Sequence, residues 1–143
     1  MSVISFFYED TSYKIKNKKK VVSWIEKVCD NYQWNVFIVN YIFCSDSYIL
    51  NINNEYLSHD FYTDIITFDL RENKTIKNKF LEADIFISVD RVEENAIQYK
   101  VTFEEELLRV MIHGILHLTG HKDKTKLQKT KMRLEEQSCL SLL

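Results

Sequence analysis

Backbone freedom is confined to one short stretch of this chain. Its only two glycines, Gly114 and Gly120, both fall between Met111 and Asp123, and no proline occurs anywhere in the 143 residues. Elsewhere the backbone must keep to conformations that side chains tolerate. The same stretch holds His113, His117 and His121, three of the chain's four histidines. Glycine placed beside histidines points to a geometric demand, and the simplest such demand is a bound metal ion.

Size suits one domain spanning residues 1–143, large enough to bury a core without disulfides or metals as staples. Hydrophobic residues at 45% and charged residues at 28% argue against disorder. A net charge of −2 does not by itself advertise a nucleic-acid binder. No apolar run approaches the ~20 residues of a membrane helix, so no membrane association is expected. The first residues lack a basic leader ahead of an apolar segment, so no export signal is expected either. Cys29, Cys44 and Cys139 are odd in number, far apart and without a C-x-x-C pair. They read as buried or incidental thiols, and a reducing cytoplasm as the compartment.

Periodicity and caps divide the chain into alternating strands and helices. Val3 to Tyr8 reads as a strand, Asn17 to Tyr32 as a helix with Val21, Trp24, Ile25 and Val28 on its apolar stripe, and Trp34 to Phe43 as a second strand. Ser45 or Asp46 is placed to cap a helix reaching about Leu57. Strands follow from Asp64 to Leu70 and from Ala83 to Val89, separated by a polar loop from Arg71 to Asn78. Asp90 opens a short helix to about Tyr99. Thr102 and Glu105 form a capping-box pattern for a helix that runs to about Thr119 and stops at Gly120. A last helix covers Lys126 to Leu140. The expected fold is α+β: one domain with a small mixed β-sheet packed against helices, and a metal site at the C-terminal end of a central helix.

On that helix His113 and His117 stand four residues apart, on one face, with Cβ atoms about 5–6 Å apart. Two imidazoles so placed can share one ion at the ~2.0–2.1 Å bond length of zinc. A third ligand has to come from beyond the helix. The pattern H-x-x-x-H-x-x-G-x-x-[H/D] puts Asp123 at the position that swings back after Gly120. His121 arrives two residues early, yet imidazole is the commoner zinc ligand, so it stays as the competitor. One divalent ion held by His113, His117 and Asp123 keeps positive charge and an open position. Such an ion acidifies water and polarises phosphoryl or carbonyl oxygens. Zinc peptidases carry a glutamate after the first histidine as general base; here that position is Gly114, which takes no proton. Peptidase activity is therefore disfavoured, and no catalytic side chain is assigned. His59 has no expected role. Lysines at 14, 16, 18, 19 and 20, and a second strip of Lys122, Lys124, Lys126, Lys129, Lys131 and Arg133, read as solvated faces. The second strip stands beside the metal motif, where cations suit a phosphate backbone.

His113-Gly114-Ile115-Leu116-His117-Leu118-Thr119-Gly120 resembles the H-G-x-L-H-L-x-G signature of the YbeY family. Two more segments match in order: Asp60 to Phe68 is similar to the family's D-x-P-T-D-V-L-S-F, and Glu82 to Ser88 to its G-D-I-x-I-S strand. The resemblance implies a zinc-dependent, single-strand-specific endoribonuclease. It also implies work in maturing the 3′ end of small-subunit ribosomal RNA and in ribosome quality control. Ribosomal RNA, with a ribosomal subunit or assembly proteins, is the implied partner. The alternative is an assembly factor that binds RNA or protein and carries a structural metal. Many members end the signature G-Y-D-H, the last histidine being the third ligand; Asp123 aligns there. An arginine that members carry after a tyrosine is replaced by Leu57 after Tyr56, leaving Arg91 or the Lys122–Arg133 strip to stand in. Ala83 replaces a glycine and Tyr62 a proline, both local backbone adjustments. Asp84 and Ser88 are further candidates for the substrate side.

Overall fold

The computed structural model describes residues 3–57, 63–74 and 79–143. In chain order these form β1 (Val3–Glu9), α1 (Lys18–Asn31), β2 (Asn35–Cys44), α2 (Asp46–Leu57), β3 (Ile65–Asp69), β4 (Phe80–Ser88), α3 (Val89–Tyr99), α4 (Phe103–Leu118) and α5 (Lys126–Leu140). The strands make one four-stranded sheet in the order β1-β2-β4-β3. β1, β2 and β4 run parallel, while β3 pairs antiparallel with β4 along the edge. This is the α+β arrangement expected, a mixed sheet packed against helices.

The largest boundary difference is at the start of β4, and the other ends lie within one residue of expectation. The strand starts at Phe80 rather than Ala83, because Phe80 and Leu81 pair with Asn35 and Val36 before a bulge in β2. It ends at Ser88 rather than Val89, because the Ser88 side chain accepts the Arg91 N–H at 3.2 Å and starts α3 there. A capping serine outranks the strand propensity of the valine after it. His59 and the Asp60–Tyr62 part of the second motif lie outside the described residues, as do residues 75–78 of the polar loop.

Side-chain alternation along β4 sets the layers. Leu81, Ala83, Ile85 and Ile87 are fully buried on one face, in one core with side chains of α1, α4 and α5. Phe86, on the other face, joins a small cluster with Cys44, Ile49 and Ile66 beneath α2. Helix α4 is the central one: Leu107, Val110, Met111, Ile112, Ile115 and Leu116 are all essentially inaccessible to solvent. A helix apolar over so much of its circumference belongs inside a domain. Two of the buried polar tips show the pairing that avoids a desolvation cost. Tyr41 donates its hydroxyl to the Met111 carbonyl at 3.1 Å, and Trp24 donates its indole N–H to the Cys139 carbonyl at 2.8 Å. The second bond ties α1 to the end of α5, which folds back along α4.

Candidate metal centre

Helix α4 begins at a Thr102 cap, whose hydroxyl accepts the Glu105 N–H at 3.1 Å. Its last two turns carry His113 and His117, with ring centroids 4.6 Å apart. The helix closes in a Schellman motif. Gly120 N–H donates to the His117 carbonyl at 3.1 Å and His121 N–H to the Leu116 carbonyl at 2.9 Å, with Gly120 at φ +103°. That left-handed turn is where glycine is needed. It reverses the chain and brings Asp123 back toward the helix face it has just left.

One oxygen of Asp123, Oδ2, then lies 3.4 Å from His113 Nε2 and 3.3 Å from His117 Nε2. Donors bonded to one tetrahedral zinc at ~2.0–2.2 Å stand about 3.4 Å from each other, so these spacings fit a shared ion. The three donor groups all lie within 4.8 Å of one another. The His113 side chain keeps 17% of its exposure, His117 35% and Asp123 36%, so the cluster is rooted in the core and open on one side. Two imidazoles and a carboxylate are a donor set that would suit zinc, and the open side would leave room for a further ligand.

His121 is turned elsewhere. Its Nδ1 faces the Leu116 carbonyl at 3.2 Å and the Thr119 hydroxyl at 3.3 Å, and its ring stands edge-on to Tyr32 at 5.2 Å. It serves the helix terminus, and the geometry groups Asp123, not His121, with the two histidines.

Behind His113 stands a buried charge network that spacing did not reveal. Its Nδ1 meets Glu136 Oε2 of α5 at 2.5 Å. Glu136 Oε1 accepts from Arg109 Nη1 at 3.1 Å, and Arg109 forks onto Glu106 at 2.8 and 2.6 Å. Glu106 and Glu136 side chains are each 2% exposed. Burial pushes the Glu136 carboxyl up, but the His113 hydrogen bond and the Arg109 charge outweigh it and hold the group below its ordinary range. One signal in the sequence pointed here: Met132, Glu136 and Cys139 share the buried stripe of α5, and an acid on an apolar stripe needs a partner.

The three-residue cluster opens into a cleft of about 660 Å³ whose walls include Leu57, Asp64, Ile65, Thr67, Asp69 and Leu118. Asp64, just ahead of β3, accepts from Asn95 at 3.2 Å, and burial raises its carboxyl despite the lowering pull of Arg109 and His113. Asp69 at the far end of β3 is burdened by burial too, yet the Arg71 fork at 3.0 and 2.7 Å leaves it lowered. Leu57 does line the cleft, whereas Arg91 is not among its walls and pairs with Asp46 at 3.0 Å. Asp84 and Ser88 do not line it either: Asp84 accepts from Asn40 at 3.0 Å and Ser88 caps α3. Lys122 and Lys124, on either side of Asp123, are exposed, as are Lys126, Lys129, Lys131 and Arg133 beyond them. Cys29, Cys44 and Cys139 are buried free thiols and do not join the three-residue cluster; burial pushes Cys29 and Cys44 up to about 12.

Residues 5–143 match the family profile described as Endoribonuclease YbeY. A protein of that name from Cytophaga hutchinsonii is 48% identical over 139 residues, covering 97% of this chain and 94% of its own length. Another from Porphyromonas gingivalis is 44% identical over 143 residues, covering 100% of this chain and 91% of its own. Among solved structures, the solution structure of a Thermotoga maritima protein aligns with a TM-score of 0.60 at 28% identity, covering 95% of this chain and 89% of that one.

Proposed function

The chain belongs to the Endoribonuclease YbeY family, and from that premise we propose that it cuts single-stranded ribosomal RNA, maturing the 3′ end of the small-subunit RNA and serving ribosome quality control. Nuclease activity is what its relatives are named for; the ribosomal substrate and the metal requirement are the finer reading. The observation that carries it is the convergence of His113, His117 and Asp123 at one end of an open cleft flanked by exposed lysines.

His113, His117 and Asp123 are the proposed ligands of one zinc ion. A divalent ion in that position supplies Lewis acidity toward a phosphoryl oxygen and lowers the pKa of water. The side chains around it do the rest. Lys122 and Lys124 flank the carboxylate and offer ammonium groups to successive phosphates. Leu57, Ile65 and Leu118 give the cleft apolar walls against which ribose and base can pack. A peptide-hydrolysing role lacks its base: position 114, where a glutamate would sit, faces Ile65 and Ile85 in the helix–sheet contact. Residues 1–143 are read as one domain working in the cytoplasm, where buried free thiols stay reduced, with a ribosomal subunit or assembly proteins presenting the RNA.

Cleavage of a single-stranded ribosomal RNA fragment should require added zinc and should fall to background in His117→Ala, with both proteins shown to fold by circular dichroism. Equal, zinc-independent cleavage by the two would remove the nuclease centre from this cleft and leave an RNA-binding assembly role. A substrate with deoxyribose at the cleaved position separates two routes. Survival of cleavage excludes attack by the RNA's own 2′-hydroxyl.

A further inference from the structure

Glu136 sits where an acid is costly, on the stripe of α5 between Met132 and Cys139, all three buried. Its two oxygens have separate commitments, Oε1 to Arg109 at 3.1 Å, with Arg133 at 3.6 Å on the same oxygen, and Oε2 to His113 Nδ1 at 2.5 Å. Ionised against a guanidinium, a carboxylate offers acceptors only. His113 must therefore donate from Nδ1, and in the neutral ring that leaves the lone pair on Nε2, the atom 3.4 Å from Asp123 Oδ2. Among the described residues, His117 meets a single carboxylate, Asp123 at 3.3 Å, and has no such support behind it.

We infer that Glu136 is the positioning residue of the centre: it locks His113 in the Nδ1–H tautomer with Nε2 aimed into the cluster, and Arg109, gripped from its other side by Glu106, fixes Glu136 in turn. The inference rests on His113, His117 and Asp123 being the ligand set. A hydrogen-bonding carboxylate behind a ligating imidazole fixes ring orientation and raises ligand basicity. Here that carboxylate arrives from a different helix. Full zinc affinity of the centre therefore depends on α5 being docked on α4.

Glu136→Gln tests this without removing volume. A glutamine can turn its oxygen to Arg109 or to His113, but not to both. With the oxygen on Arg109, whose charge makes the stronger bond, the amide N–H₂ faces His113 Nδ1. The ring then has to accept there and carry its proton on Nε2, the ligand atom. Nitrogen-15 correlation spectra of the zinc-free full chain, at about pH 9 and so well above the ~6.5 of free imidazole, report the tautomer directly. Wild type should show Nδ1–H at His113 and E136Q should show Nε2–H. Zinc affinity, measured by competition with a chromophoric chelator, should fall about 10–100-fold in E136Q. Circular dichroism and the urea midpoint establish that the variant is folded.

A neutral wild-type His113 that carries its proton on Nε2 and none on Nδ1 overturns the inference, and that measurement needs no variant to fold. So does an E136Q chain that keeps the Nδ1–H tautomer or binds zinc as tightly as wild type. A wild type that holds the Nδ1–H tautomer yet takes up no zinc sinks the ligand set instead, and leaves Glu136 as the group that sets the tautomer.

Discussion

Gly114 of α4 passes Ile65 of β3 so closely that a Cβ at position 114 would lie 3.0 Å from the Ile65 Cδ1 and 3.3 Å from that of Ile85. The helix bearing both histidines is thus seated on the sheet at a point where there is no side chain to hold them apart. The closeness also orients the centre, since His113 is the next residue along the helix.

Substitution at this glycine sets two effects against each other. Alanine in a helix gains about 0.8–1.0 kcal/mol over glycine, while forcing atoms into a packed contact costs about 1–3 kcal/mol. Ile65 is only half-buried and its methyl end can swing aside; Ile85 is fully buried and cannot. Gly114→Ala should therefore remain within roughly 1 kcal/mol of wild type, because its gain and loss are similar. Gly114→Val adds methyls without a comparable helix gain and should lose about 2 kcal/mol or more. Urea unfolding midpoints of the two variants check both values. A Val variant as stable as wild type would mean α4 can lift off the sheet freely.

The clustering of His113, His117 and Asp123 was legible in the sequence where its geometry is local. His113 and His117 are spaced by the helix itself, and the Gly120 turn that returns Asp123 is a local motif. Gly114 was legible only in part. Its letter excludes a general base, but that it marks a close approach depends on Ile65 and Ile85, which are distant in the chain. Glu136 is 23 residues from His113, and the two meet only because α5 folds back along α4. Asp64 read as the head of a buried strand and proved to be a wall of the cleft. Helix pairing and edge-strand position are tertiary facts, which periodicity along one element does not carry. For the same reason β4's first residues escaped notice: they are strand because Asn35 and Val36 pair with them.

Asp64 and Asp69 bracket β3 and should pull stability in opposite directions as pH changes. Burial raises the Asp64 carboxyl in the folded chain. Its contribution is fully present below the unfolded value of about 3.9 and is lost as pH climbs through the higher folded value. Asp69, lowered by its Arg71 partner against the cost of burial, contributes above the unfolded value and loses that contribution as pH drops through the lower folded value. Asp64→Asn keeps an oxygen for the Asn95 bond and removes the ionisation. Relative to wild type it should gain stability as pH rises from about 4 toward neutrality, read from thermal unfolding of the zinc-free protein. A gain on acidification instead would show that the Asp64 carboxyl is lowered on folding.

Asp123 and His121 offer a direct contest. Asp123→Ala removes the oxygen that both Nε2 atoms approach, at 3.3 and 3.4 Å. Loss of an outer-shell partner alone typically costs about 10–100-fold in metal affinity, so loss of a ligand should cost at least that. His121→Ala removes a contact to the Leu116 carbonyl and an edge-on packing against Tyr32. It should lower stability by about 0.5–1.5 kcal/mol and leave zinc affinity within a few-fold. Chelator competition on both variants decides it, and the reverse ranking would mean that the turn after Gly120 presents the imidazole, not the carboxylate, when metal binds.

Lys122, Lys124 and Lys126 carry the remaining prediction, because the role proposed for them in holding RNA is electrostatic and therefore has a salt signature. All three are exposed, and Asp123 stands between the first two. Each ammonium that neutralises a phosphate releases a counterion, contributing about −0.7 to the slope of log affinity against log salt for a single strand. Replacing the three by glutamine should weaken binding of single-stranded RNA and flatten that slope by about 2. Measured without zinc, so that no cleavage intervenes, the change should be similar for unrelated sequences, since phosphate contacts carry no base information. An unchanged slope would place the RNA backbone elsewhere on the surface, with the Lys14–Lys20 cluster the next to test, while leaving the centre formed by His113, His117 and Asp123 untouched.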